Sequence, residues 1–426
     1  MLFILVVVYT FNFIDRQIVG ILAVPIKADL NLSDTQLSLM GGLAFALFYT
    51  FLGIPIAWLA DRKSRTWIMT AALVIWSAMT AVCGFTQNFL QLFLARLGVG
   101  IGEAGGVAPA YSLISDYFPP NQRARALSIY SFGIPIGSAI GIILGGILTN
   151  MIGWRAAFII VGLMGLVIAP IFRLTVREPK RGQYDPASAS VEPVSIRVVF
   201  RTLIRKKSFW GMSIGAASSS MMGYGLIFWL PSFFVRSFGD ALPGFFSWMP
   251  PFLVPPDAGP LLYASYFYGT ILLVGGIAGI WLGGWLADRY GARQKGAYAI
   301  IPAVAFLATI PLFIIGVLSN TLVLTFFTFL FIQALSLVWL GPVLSAFQHL
   351  VQPNMRATAS AIFLFINNLI GIGLGNLAIG VLSDSLAVRF AEESLRYAIL
   401  SGTVFYLIAA TLFMITAPRL KHDWEG

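Results

Sequence analysis

Long apolar runs separated by short polar breaks constrain this chain more than any other feature. Twelve runs can be drawn, at about residues 1–26, 36–60, 66–87, 89–115, 124–149, 154–176, 208–237, 261–287, 295–318, 321–350, 356–384 and 395–418. Each holds about 20 residues or more, enough to cross about 30 Å of hydrocarbon as a helix. Inside lipid the backbone must satisfy its own hydrogen bonds, and apolar runs of this length do so as helices. The expected fold class is all-α integral membrane, with twelve transmembrane helices. Only 10% of the 426 residues are charged, against about 25% in soluble chains, which excludes a soluble reading.

Positive charge gives an expected topology. With the first span running outward, 20 of the 27 lysines and arginines fall in inner breaks and five in outer ones. Two, Arg16 and Arg96, lie inside spans. This asymmetry predicts both termini in the cytosol. The net charge of +10 therefore reports orientation rather than nucleic-acid binding. No small-residue cleavage site follows a short apolar core, so no signal peptide is expected.

Several classes of chemistry find no support. Cys83 is the one cysteine, and the two histidines, His349 and His422, are far apart, so neither a disulfide nor a metal site is expected. No phosphate-binding loop, nucleophile elbow or cofactor motif is present. The expectation is a protein that is not an enzyme and uses no metal or cofactor.

One long polar segment, "REPKRGQYDPASASVEPVSIRVVFRTLIRKK" (177–207), follows span six. It divides the chain into 1–176, a cytosolic linker 177–207, and 208–426. Ile196–Lys207 reads equally well as an amphipathic surface helix or as a solvated basic loop. The halves repeat. "AWLADRKSR" (57–65) and "GWLADRYGAR" (284–293) follow spans two and eight, and "PPNQRARALS" (119–128) and "QPNMRATASA" (352–361) precede spans five and eleven. The same order at nearly the same offset marks a parallel internal repeat.

These residues resemble the major facilitator superfamily over the whole chain. The loops after spans two and eight are similar to its G-x-L-a-D-r-x-G-r signature. The first copy carries Ala57 and Ser64 in place of the glycines, whereas the second keeps Gly284, Asp288, Arg289 and Gly291. Three further stretches resemble the spinster-type lipid transporters: Asn12, Asp15 and Arg16 in span one, "RLGVGIGEAGGVAPAYSLISDYFPP" in span four, and "QRARALSIYSFGIPIGSAIG" entering span five. Organic-anion symporters of the superfamily have similar Asp-Arg and Gly-Glu-Ala motifs. The resemblance implies two six-helix bundles that alternate access, a central cavity lined by spans one, four, seven and ten, and proton coupling. It also implies a cytosolic gate at Asp61, Arg62, Asp288 and Arg289, with Arg123 and Arg356 beside them. Topology marking by positive charge is the competing reading of those residues.

Asp15, Arg16, Arg96 and Glu103 are ionisable residues well inside spans, all in the first half. A charge at bilayer centre costs roughly 2.5–3.5 kcal/mol on insertion scales, so such residues are functional candidates by default. Asp15 and Arg16 lie about 100° apart on a helix and cannot face each other. Asn12 falls between them. Arg96 and Glu103, seven apart, share a face. Low dielectric favours a protonated carboxylate and a nearby arginine favours the ionised one, so moving the arginine binds or releases a proton. Asp15 and Glu103 are the candidate proton-coupling groups, Arg96 a supporting charge, and Arg16 the counter-charge and anchor for an anionic headgroup. A static ion cluster joining spans one and four is the alternative.

The second half offers uncharged groups: Tyr224 within "SSSMMGYGLIFWL", Gln333, Ser336, Trp339, Asn367 and Asn368. A cavity charged on one wall and apolar on the other suits an amphiphile, which makes Asn12, Arg16, Tyr224, Trp339 and Asn367 candidate substrate contacts. The expected partners are protons, membrane lipids and an anionic lipid-like solute resembling sphingosine-1-phosphate or a lysophospholipid. Small organic anions such as sugar acids are the alternative, and a non-transporting sensor on the same scaffold is a more distant one. A monomer in a bacterial inner membrane is expected.

Overall fold

The computed structural model describes residues 1–60, 62–118, 126–127, 129–180, 196–250, 253–255, 258–291, 293–351 and 355–424. Among these the regular structure is helical. The spans appear as α1 (Leu2–Leu30), α2 (34–60), α3 (Arg65–Cys83), α4 (Phe89–Glu103 continued by Val107–Tyr117), α5 (133–152) and α6 (154–175). The second set is α7 (Lys207–Phe238), α8 (Pro260–Leu286), α9 (Ala297–Leu318), α10 (Leu322–Leu337 continued by Leu340–His349), α11 (Arg356–Phe390) and α12 (Ser394–Ser401 continued by Thr403–Asp423). A separate surface helix occupies Ile196–Arg205.

Local chemistry explains the boundaries. α1 ends at Asn31 in the left-handed region (φ 51°), a conformation asparagine tolerates. α2 starts with a capping box in which Ser33 and Gln36 each satisfy the other's backbone N–H. α5 and α6 run on without a loop, turning only at Gly153 (φ 81°), where any side chain would be strained. The apolar segment 239–260 holds a single short helix, Leu242–Phe245, among its described residues.

Besides α12, which parts at Gly402, α4 and α10 are interrupted, and these two at matching places. α4 breaks over Ala104–Gly106 and α10 over Val338–Trp339. Pro109 and Pro342 sit three residues into the second pieces, 233 apart, the offset that also separates Arg123 from Arg356. A proline ring clashes with the carbonyl four residues earlier and donates no hydrogen bond, so each break falls where its proline puts it. Paired interruptions in repeated halves point to a binding region.

The chain forms two compact units. One holds Met1–Ala189 with Ile227–Gly269, the other Ser190–Leu226 with Thr270–Gly426. In the first, α1 packs along α5 through a glycine stripe: a Cβ on Gly137 would lie 2.3 Å from the Thr10 carbonyl oxygen, and one on Gly141 2.9 Å from the Ile14 backbone. α4 meets the α2 and α3 backbones through Gly100 and Gly102. In the second, α8 approaches the α10 backbone through Gly279 and Gly283. Without water to expel between helices, such close backbone approach supplies the packing energy.

Candidate functional site

The first unit brings the four intramembrane charges together. Arg16 Nε donates to Glu103 Oε2 at 2.5 Å, with Glu103 fully buried and the Arg16 side chain 12% exposed. Asp15, also fully buried, turns the other way, and its Oδ2 accepts from Thr80 Oγ1 of α3 at 2.8 Å. The 100° step between neighbouring residues thus sends one side chain to α4 and the next to α3. Arg96 is buried and lies within electrostatic range of both carboxylates. The buried Asn12 amide is turned toward Glu103 but outside hydrogen-bonding geometry.

Polar capacity is left over here. Asp15 Oδ1, Glu103 Oε1, and Arg96 Nε and Nη1 have no hydrogen-bond partner among the described residues. Buried polar atoms are nearly always paired. A cluster with spare donors and acceptors can exchange partners, which a fully saturated ion pair cannot.

Aromatic rings hold the Arg16 guanidinium. Its Cζ lies 4.6 Å from the Tyr49 ring centre, 4.9 Å from Phe45 and 5.1 Å from Phe13. Phe45 also lies 5.9 Å from Arg96 Cζ. Tyr9 stacks on Tyr130 at 4.2 Å, and Tyr130 meets Tyr111 edge to face at 5.7 Å. Ring faces attract the guanidinium while its edge remains available for planar hydrogen bonding. Neither Thr80 nor this cage stands out in the sequence. A threonine and scattered aromatics in apolar helices look like packing, and only the helix arrangement turns them toward the charges.

In the second unit, Asn367 Oδ1 accepts from Ser220 Oγ at 2.8 Å across α11 and α7. A Cβ on Gly371 would touch Ser220 and Tyr224, so these residues form one uncharged polar group. Trp339 is buried at the α10 break. Ser336 Oγ donates to the Gln333 carbonyl at 2.8 Å.

Of the residues expected at a cytosolic gate, three are described in full. Arg62, Asp288 and Arg289 are exposed, and Arg289 lies 5.2 Å from the Trp285 ring. Asp61 and Arg123 lie outside the described residues, as does the side chain of Arg356. Among the described residues of the first signature copy, the buried charge is Arg65. It donates to Asp116, to Ser112 Oγ at 2.8 Å and to Glu178 Oε1 at 2.7 Å. Glu178 also accepts from Thr66 N at 2.9 Å and Ser64 Oγ at 2.9 Å. Partial burial raises the Glu178 pKa, but the bonds from Thr66, Arg65 and Ser64 outweigh it and hold the carboxyl below its usual range. At the opposite end of this unit, Asp34 accepts from Lys27 at 2.5 Å and from both outer nitrogens of Arg236 at 2.8 and 3.0 Å.

A family model described as Major Facilitator Superfamily matches residues 5–376. With the helical fold and the paired signatures, this places the chain plainly: it belongs to the major facilitator superfamily, a non-enzymatic family of transporters that alternate access, bind small solutes and typically work as monomers. Within it, the chain resembles the spinster transporters. It is 30% identical over 429 residues to human protein spinster homolog 1, covering 97% of this chain and 79% of the relative. It is 32% identical over 421 residues to an MFS-type efflux pump of Mycolicibacterium smegmatis, covering 99% and 92%. A solved structure of a bacterial homolog to the human lysosomal transporter spinster, inward-facing and unoccupied, superposes with a TM-score of 0.87 at 31% identity, covering 100% of this chain and 98% of that one.

Proposed function

We propose that this protein is a proton-coupled transporter of an anionic, lipid-like amphiphile such as a lysophospholipid or sphingoid phosphate. The observation that carries the reading is the buried Arg16–Glu103 pair beside Asp15, with the guanidinium caged by aromatic rings. Arg16 has two partners to choose between, Glu103 and a substrate phosphate. When phosphate takes Arg16, Glu103 loses its counter-charge in a low-dielectric site and takes up a proton. When the phosphate leaves, Arg16 returns and the proton departs. Asp15, held by Thr80 and near Arg96, is the second proton-binding group. Asn12 lies beside the exchange.

The acyl chain takes the uncharged side offered by Tyr224, Trp339 and Asn367. The two halves, 1–176 and 208–426, rock about the 177–207 linker, both termini face the cytosol of a bacterial inner membrane, and Asp61, Arg62, Asp288, Arg289, Arg123 and Arg356 lock the cytosolic mouth. The likeness of Asn12, Asp15 and Arg16, and of the span-four and span-five stretches, to the spinster-type lipid transporters favours the lipid assignment over small organic anions such as sugar acids.

The test is uptake into proteoliposomes under an imposed pH gradient, with a lysophospholipid beside a sugar acid. Wild type is expected to move the lysophospholipid down the proton gradient and Glu103→Gln to lose gradient-driven movement. Transport of the sugar acid alone overturns the lipid assignment. A Glu103→Gln protein that keeps its pH dependence overturns the coupling role.

A further inference from the structure

The polar segment after span six ends in a helix with one face packed and one face outward. In Ile196–Arg205, Val199 and Leu203 are buried against the second unit. Arg197, Arg201 and Arg205 are exposed and recur every four residues, forming one stripe along the helix. Phe200 and Ile204, 46% and 53% exposed, flank that stripe. No acidic residue occurs between Ile196 and Lys207. A concavity of about 510 Å³ runs along Val198, Arg201, Thr202, Arg205 and Lys206.

The helix is fixed to the ends of neighbouring spans. α7 begins at Lys207, immediately after it. Lys206 Nζ donates to the Leu350 carbonyl at 2.6 Å and the Asp423 carbonyl at 3.1 Å, and Ser208 Oγ donates to Asp423 Oδ2 at 2.5 Å. Exposed Phe and Ile beside three unneutralised arginines are poorly served by water alone. An interface of acyl chains beneath phosphate headgroups satisfies both.

We infer that the 196–205 helix is a binding surface for the anionic phospholipid of the adjoining leaflet, with Arg197, Arg201 and Arg205 on the headgroup phosphates and Phe200 and Ile204 in the acyl boundary. This surface is separate from the transport site and stands whether or not that site takes lipid. Because Lys206 and Ser208 tie the helix to the ends of α10 and α12, leaflet composition acts directly on the linker side of the second unit.

The full chain, delipidated in detergent, is titrated with phosphatidylglycerol and with phosphatidylcholine, and retained lipid is read by native mass spectrometry. Wild type is expected to prefer phosphatidylglycerol, and Arg197→Gln/Arg201→Gln/Arg205→Gln to lose that preference by about tenfold or more at low salt. The corresponding triple lysine substitution keeps it, which separates lost charge from lost folding. Equal retention of both lipids by wild type, or an unchanged preference in the glutamine triple, overturns the surface. Competition by inorganic phosphate as strong as by the lipid overturns its assignment to a bilayer lipid.

Discussion

The two units carry one repeat pattern with opposite interiors. The 233-residue offset that relates Pro109 to Pro342 places Ser336 opposite Glu103. Beside the α4 break, Glu103 is fully buried and paired to Arg16. Just before the α10 break, Ser336 donates to the carbonyl of its own helix. In the first unit the interruption presents charge, and in the second it presents a buried Trp339 and neutral polar groups. The lesson is that the break is a scaffold property set by the proline that follows it, whereas the chemistry displayed there differs between the halves.

The comparison can be broken most severely at Arg16. Arg16→Ala leaves Glu103 buried without its counter-charge and is expected to destabilise the protein by about 3–5 kcal/mol. The matching test in the neutral unit, Ser336→Ala, is expected to change stability by under about 1 kcal/mol. Thermal unfolding in detergent measures both, and similar losses would erase the distinction. Thr80→Val removes the hydroxyl that donates to Asp15 and is expected to destabilise by about 1.5–3 kcal/mol. It should also displace the pH profile of transport, with Thr80→Ser restoring it. A lower melting temperature with an unmoved profile would make Thr80 a packing residue.

Glycines sharpen the contrast at a smaller scale. Gly137→Ala drives a Cβ into the Thr10 carbonyl and is expected to destabilise by about 1–3 kcal/mol. Gly223→Ala in α7 meets nothing within 4 Å, so its gain in helix propensity should leave stability equal or slightly higher. Ser220→Ala removes the donor to Asn367 and should lower stability by about 1 kcal/mol, with a larger effect on binding of long acyl chains than of short ones.

The smallest effect concerns acid. The folded-state pKa of Glu178 is depressed, so its stabilising bonds are fully present above the ordinary carboxylate range and are lost as pH falls through the depressed value. Glu178→Gln should therefore flatten the acid limb of a melting-temperature profile and leave the neutral limb nearly parallel to wild type. An unchanged acid limb would show that Glu178 stays as exposed as a free carboxylate.

Much of this architecture was legible from residue order. Hydropathy marked the spans because lipid admits few alternatives to apolar helices. The repeated Asp-Arg loops revealed the duplication, and Asp15, Arg16, Arg96 and Glu103 stood out because charge inside a span is rare. The interruptions at Ala104–Gly106 and Val338–Trp339 are not legible in residue order, although Pro109 and Pro342 stand beside them. Membrane helices tolerate proline when neighbours accept the freed backbone groups, so the residue alone does not say where a helix parts. Residue order likewise left 196–207 open between a helix and a loop, and packing of Val199 and Leu203 decided for the helix.

Partnership was decided only by tertiary structure. That Arg16 meets Glu103 while Asp15 meets Thr80 depends on which helices α1 touches, and the glycine contacts set that by allowing backbones to within van der Waals range. The Phe13, Phe45 and Tyr49 cage has the same origin. Its three residues come from two helices and share no sequence pattern with the charge they surround. Sequence determines which groups must be buried because burial follows from composition along one helix. Which groups meet depends on distances between helices, and those exist only once the chain has packed.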